Sequence, residues 1–145
     1  MKAYLASLAV AVLVSCGGVL SAHAQSVDQI EADIPFPFHA GMVTFPAGKY
    51  GFQVTEVAGT STMEARSEDG LYMALMEIRN VKADVPVAKS RLVFTESNGH
   101  HFLANIFASG EPYGRTVVSV GYAVKLGAYR TDGDTVEVPA HRSTQ

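Results

Sequence analysis

The sequence predicts an all-β domain, an antiparallel β-sandwich or small β-barrel of about seven to eight strands. Three observations lead there. Apolar and polar residues alternate from Ile30 to Phe38: Ile30, Ala32, Ile34, Phe36 and Phe38 fall on one side, Glu31, Asp33, Pro35 and Pro37 on the other. A period of two is a strand with one buried and one wet face. Turn signals recur at hairpin spacing, at Phe45-Pro46-Ala47-Gly48, Ser67-Glu68-Asp69-Gly70, Asn98-Gly99 and Asp132-Gly133. The segments between them have strand length, and the glycines are dispersed as turns require.

The chain opens MKAYLASLAVAVLVSCGGVLSAHAQ. Lys2 is a short positive region, Ala3 to Val14 an apolar one, and Ala22-His23-Ala24 places small residues where signal peptidase cuts. Residues 1–24 read as a signal peptide and residues 25–145 as a single secreted domain, periplasmic or extracellular. Leu13-Val14-Ser15-Cys16 also resembles a lipobox, which would put a lipid anchor on Cys16. Removing 24 of the 145 residues leaves 121, enough for one core. Cys16 is the only cysteine, so the mature chain has no disulfide. The 14 acidic residues outnumber the 11 basic ones, and losing Lys2 brings the net charge to −4. No basic stripe with interleaved aromatics is present, so nucleic acid is not an expected partner. No later apolar run is long enough to span a membrane.

Taken in order, Ile30–Phe38 is the first strand. Pro35 and Pro37 remove N–H donors from the same side, a device that protects a sheet edge. The stretch is therefore expected at an edge, or crossing between two sheets. On the edge reading, replacing both prolines with Thr would promote dimers or aggregates. Pro46-Ala47-Gly48 suits a three-residue hairpin turn with Gly48 left-handed, leading into Tyr50, Phe52 and Val54. Met63–Ser67 is a short strand, and the apolar run Leu71 to Ile78 suits a strand buried on both faces or a short helix, the flanking turn signals favouring the strand. Asn80 to Ser90 is a connecting loop. Arg91–Ser97 and His100–Phe107 form a hairpin about a type I′ turn at Asn98-Gly99. Its register pairs Ser97 with His100, Glu96 with His101, Phe94 with Leu103 and Leu92 with Asn105. Ser109 to Gly114 is a loop. Val118–Leu126 and Thr135–Val138 are the last strands, with Pro139 and a polar tail ending the domain.

The order IPFPFHAG, FPAGKYGFQV, RSEDG and KSRLVFTESNGHHFLANIFASGEPYGR, from Ile34 to Arg115, resembles a group of small secreted bacterial proteins common in soil acidobacteria. Their pattern runs IPF-x-F, LPAG-x-Y-x-V, RS-x-DG, LVF, YFL, IW and G-x-GR. This chain has Phe107 where the group often has Trp, and a more strand-like segment after Arg115. The resemblance implies a secreted β-protein and carries no activity, cofactor or catalytic residue.

The residues themselves offer little chemistry. His39, His100, His101 and His141 remain in the mature chain. A metal site needs three or four converging ligands, and the candidates are His39, His101 or His100, and Glu96. Adjacent His100 and His101 point to opposite faces of a strand, so the expectation is a solvated hairpin tip with a Glu96–His101 cross-strand pair, no metal and no cofactor. Thr131-Asp132-Gly133-Asp134 has too few oxygens for a calcium loop. There is no nucleophile elbow and no catalytic cysteine. Phe36, Phe38, Phe45, Tyr50, Phe52, Tyr72, Phe94, Phe102 and Phe107 could line an apolar pocket, but strand alternation places them in a core. The expected function is a non-enzymatic binding or structural module of the cell envelope. The alternatives are a small barrel enzyme, such as a metal-dependent hydrolase, and an apolar-ligand-binding barrel.

Overall fold

The computed structural model describes residues 28–83, 85–118 and 134–144. The expected signal peptide with Cys16, the expected Val118–Leu126 strand beyond Val118 and the Asp132-Gly133 turn lie outside them. The described chain is all β, with eleven strands: β1 (Asp28–Ile34), β2 (Phe38–Ala40), β3 (Val43–Phe45), β4 (Gly48–Val57), β5 (Thr60–Ser67), β6 (Met73–Lys82), β7 (Arg91–Ser97), β8 (His100–Phe107), β9 (Tyr113–Val117), β10 (Thr135–Pro139) and β11 (His141–Thr144). They form one open mixed sheet in the order β10-β7-β8-β9-β6-β5-β4-β1-β11. The short β2 pairs antiparallel with β3 and parallel with β8.

The sheet doubles over because several strands change neighbours along their length. The first half of β6 pairs with β5, through Met73–Glu77, and the second half with β9, through Ile78–Lys82. β10 pairs with β7 and β11 with β1, so the two ends of the sheet meet at Ala140. Ala140 is held there by its N–H, which donates to the Ser90 carbonyl at 3.0 Å. The inner faces close on one core that includes Ile34, Phe38, Phe45, Phe52, Met63, Leu92, Phe94, Leu103 and Ile106. Each such side chain contributes about 1.5–3 kcal/mol by leaving water.

Several expectations are corrected by long-range pairing. β1 is not an edge: β4 flanks it on one side and β11 on the other. Pro35 and Pro37 lie just beyond its end, exposed, where the chain crosses from β1 to β2. A residue without an N–H suits a corner that leaves one ladder before joining the next. Pro46-Ala47-Gly48 is likewise a corner, since β3 pairs with β2 while β4 pairs with β1 and β5. Gly48 has φ 157° and is not left-handed. The left-handed glycine of this region is Gly41, at φ 59°, in the β2–β3 turn.

β6 is buried on one face only: Ala74, Met76 and Ile78 point inward while Met73 and Leu75 stay exposed. The strand continues to Lys82, three residues into the expected loop. The β7–β8 hairpin has its expected Asn98-Gly99 turn, with φ 52° and 75°. Its register agrees from Ser97–His100 to Phe94–Leu103 and then slips at a bulge, so Leu92 faces Ile106 and Val93 faces Asn105. The extra residue turns Ile106 into the core beside Leu103. β9 occupies part of the expected 109–114 loop, and β11 follows Pro139.

Candidate functional site

Two sequence motifs prove to be structural joints. Tyr50 is buried, and its hydroxyl donates to the Pro46 carbonyl at 2.6 Å, closing the Pro46–Gly48 corner from four residues on. Burial pushes the Tyr50 phenol pKa up, with Asp69 and Tyr72 adding to the rise. In the Ser67–Gly70 turn, the Ser67 hydroxyl donates to Asp69 Oδ1 at 2.5 Å, and the Leu71 N–H donates to the same oxygen at 3.0 Å. The Tyr72 N–H donates to Ser67 Oγ at 2.9 Å. The Ser67 hydroxyl, then the Leu71 N–H, hold the Asp69 carboxyl below the usual range. The only side-chain hydroxyl of that loop is thus committed to the backbone and to Asp69.

Beside these joints lies a groove of about 450 Å³ on the outer face of β11, β1, β4 and β5. Strand alternation builds it. Gln29, Glu31 and Asp33 point out from β1, Lys49 and Gly51 from β4, Arg66 from β5 and His141 from β11, and Glu68 joins them from the turn. Gly51 forms a floor because a Cβ there would collide with the amide of Gln29, which lies across it. The acidic and basic groups are partly paired. His141 Nε2 stands 3.2 Å from Glu31 Oε2, and Arg66 Nη2 stands 2.7 Å from Glu64 Oε1. Glu31 and His141 are 110 residues apart in sequence and neighbours only because β11 pairs with β1. Sequence reading missed the groove for that reason; its one available signal was the outward register of Glu31, Asp33 and Lys49 on consecutive alternating runs.

The candidate metal ligands are divided between two faces. β2 runs parallel to β8, with Phe38 opposite His101 and His39 opposite Phe102. His101 therefore sits at the rim of the inner face, stacked on Phe36 at 4.0 Å, with its Nε2 3.9 Å from Glu96 Oε2. This is the expected cross-strand pair. His39 faces outward, stacked on Phe102 at 4.9 Å. Its Nε2 is 3.2 Å from His100 Nδ1, and its Nδ1 is 3.0 Å from Thr44 Oγ1. Burial lowers the His39 pKa, and His100 lowers it further. His39 thus meets His100 and not His101 or Glu96. Among the described residues, no group of three or more His, Cys, Asp or Glu side chains is gathered to share a metal ion.

The aromatics divide in the same way. Phe38 stacks on Phe45 at 5.0 Å and meets Tyr50 and Phe94 edge-on at 5.1 and 5.4 Å. These rings fill the interior. Among the described residues no helix is long and apolar enough to cross a membrane. Compared with protein-family models, curated proteins and solved structures, the chain matches none.

Proposed function

We propose that the protein is a non-enzymatic, exported β-domain of the cell envelope, a module that binds a peptide segment of mixed charge. The groove on the outer face of β11, β1, β4 and β5 carries this reading. It sets Glu31, Asp33 and Glu68 beside Lys49, Arg66 and His141 on a rigid sheet. Such a surface matches a partner carrying both signs of charge and discriminates by charge position. The groove's serine, Ser67, is tied to Asp69 and to the Tyr72 backbone, so it is not placed as a nucleophile beside a base. Rings packed through the interior favour a surface-binding module over a barrel that encloses an apolar ligand. Export is supported by the signal-like pattern of residues 1–24 and by the resemblance to small secreted bacterial proteins.

Titrating a hexapeptide of alternating Lys and Glu into isotopically labelled protein tests the groove. Amide shifts should cluster at Gln29, Glu31, Lys49 and Arg66, weaken with added salt, and disappear in Lys49→Ala, Arg66→Ala. Absence of shifts at millimolar peptide, or shifts mapping to another face, would reject the peptide site. Turnover of a panel of esters, glycosides and phosphates, abolished by one point substitution, would reject the non-enzymatic reading. Intact mass of the exported protein decides its anchoring. A chain beginning at Gln25 is expected, and an acylated chain beginning at Cys16 would make it a lipoprotein.

A further inference from the structure

On the outer face of the β2–β8 junction, far along the sheet from the groove, His39 Nε2 and His100 Nδ1 stand 3.2 Å apart. We propose that these two nitrogens supply two of the ligands of a binding site for one copper(II) or zinc(II) ion. The separation suits the chemistry. Metal–imidazole bonds are about 2.0–2.1 Å long, and two of them spanning that gap subtend about 100°, between the square-planar and tetrahedral angles.

Thr44 supplies the supporting contact. Its Oγ1 lies 3.0 Å from His39 Nδ1 and can accept the Nδ1–H, which puts the ring's lone pair on Nε2, the nitrogen beside His100 Nδ1. A partner on the second ring nitrogen is how proteins set the tautomer and orientation of a metal-binding histidine. His39 is also immobilised, buried and stacked on Phe102, so little entropy is lost when it coordinates. His100 is exposed at the hairpin tip and gives the ion a way in. The parallel register that sets His39 opposite Phe102 brings together two residues 61 positions apart. His101 and Glu96 face the other way and take no part.

The test uses purified protein stripped with chelator and titrated calorimetrically with copper(II) chloride and, separately, zinc chloride. One equivalent of each should bind, copper more tightly than zinc as the affinity order for imidazole sites requires. The copper electron paramagnetic resonance spectrum should show two imidazole nitrogens. His100→Ala, at an exposed position that keeps the fold, should weaken binding at least tenfold and remove one nitrogen from the spectrum. Thr44→Val should weaken it by about tenfold, the usual effect of losing an outer-shell partner. His101→Ala and His141→Ala should bind as wild type. Binding that is not stoichiometric, that keeps full affinity in His100→Ala, or that is lost in His101→Ala or His141→Ala would overturn the site.

Discussion

Gly114→Ala tests a close contact between a glycine and an aromatic ring on the neighbouring strand. Gly114 is buried in β9, and a Cβ built on it meets Cδ1 and Cε1 of Phe107 at 2.5 Å and the Ile106 carbonyl oxygen at 3.1 Å. The Phe107 ring lies across the glycine, which is how an aromatic residue compensates for a glycine on the neighbouring strand. Arg91 stacks on that ring, 4.6 Å from its centroid, and its Nε reaches Glu137 on β10 at 3.3 Å. An added methyl must push the ring aside. Overpacking of this kind costs about 1–3 kcal/mol, and loss of the Arg91 stack adds about 0.5–1 kcal/mol. A total near 2 kcal/mol is expected. With an unfolding entropy of about 2.1 cal/mol/K per residue over the mature domain, that lowers Tm by roughly 8 °C. Calorimetry of the single and double variants isolates the cause. In a Phe107→Ala background the ring is gone and only the Ile106 carbonyl at 3.1 Å still crowds the methyl, so Gly114→Ala should cost much less than in the wild type. A Tm within about 2 °C of wild type, or an equal loss in both backgrounds, would refute the reasoning.

Ala58 adopts φ 51° in the exposed turn between β4 and β5, a conformation that costs an alanine about 1 kcal/mol. Ala58→Asn should therefore raise the urea midpoint, by about 0.5–1 kcal/mol in stability. Asp69 is held below its ordinary value of 3.8 by Ser67 and Leu71, so its contribution to stability is complete above that pH and is lost as pH falls through the folded-state value. Thermal melts from pH 6 to pH 3 should show a shallower acid loss in Asp69→Asn than in wild type. The Pro35→Thr, Pro37→Thr variant should stay monomeric in light scattering, because β1 already has a neighbour on each side. Its stability should fall by about 0.4–1 kcal/mol per proline through a freer unfolded chain; aggregation would mean that the β1–β11 pairing opens in solution.

The candidate site was legible only where its partners were local. The Glu96–His101 pair follows from the two-residue turn at Asn98-Gly99, because a type I′ turn sets the register of the residues beside it. The meeting of His39 with His100 does not follow from any turn. It needs β2 to lie parallel to β8, a contact between strands with no short connection. The expected Leu92–Asn105 pairing failed for a different reason. A bulge within β8 shifts the register by one residue, and its position depends on which side chain the core accepts. The exposure of Met73 and Leu75 was hidden because an apolar run has the same composition whether one face is covered or both.

The sequence by itself determined the all-β class, the inward-facing residues of β1, the Asn98-Gly99 hairpin and the central place of Phe94 and Leu103. Each rests on alternation or on turn chemistry, which act over a few neighbouring residues. Only the tertiary structure decided that Pro35 and Pro46 turn corners, that β11 covers the β1 edge, and that Glu31 meets His141 and His39 meets His100. Those outcomes depend on which strands lie side by side. That choice is made by burying one shared core, and the free energy of that core is a property of the whole chain and not of any segment.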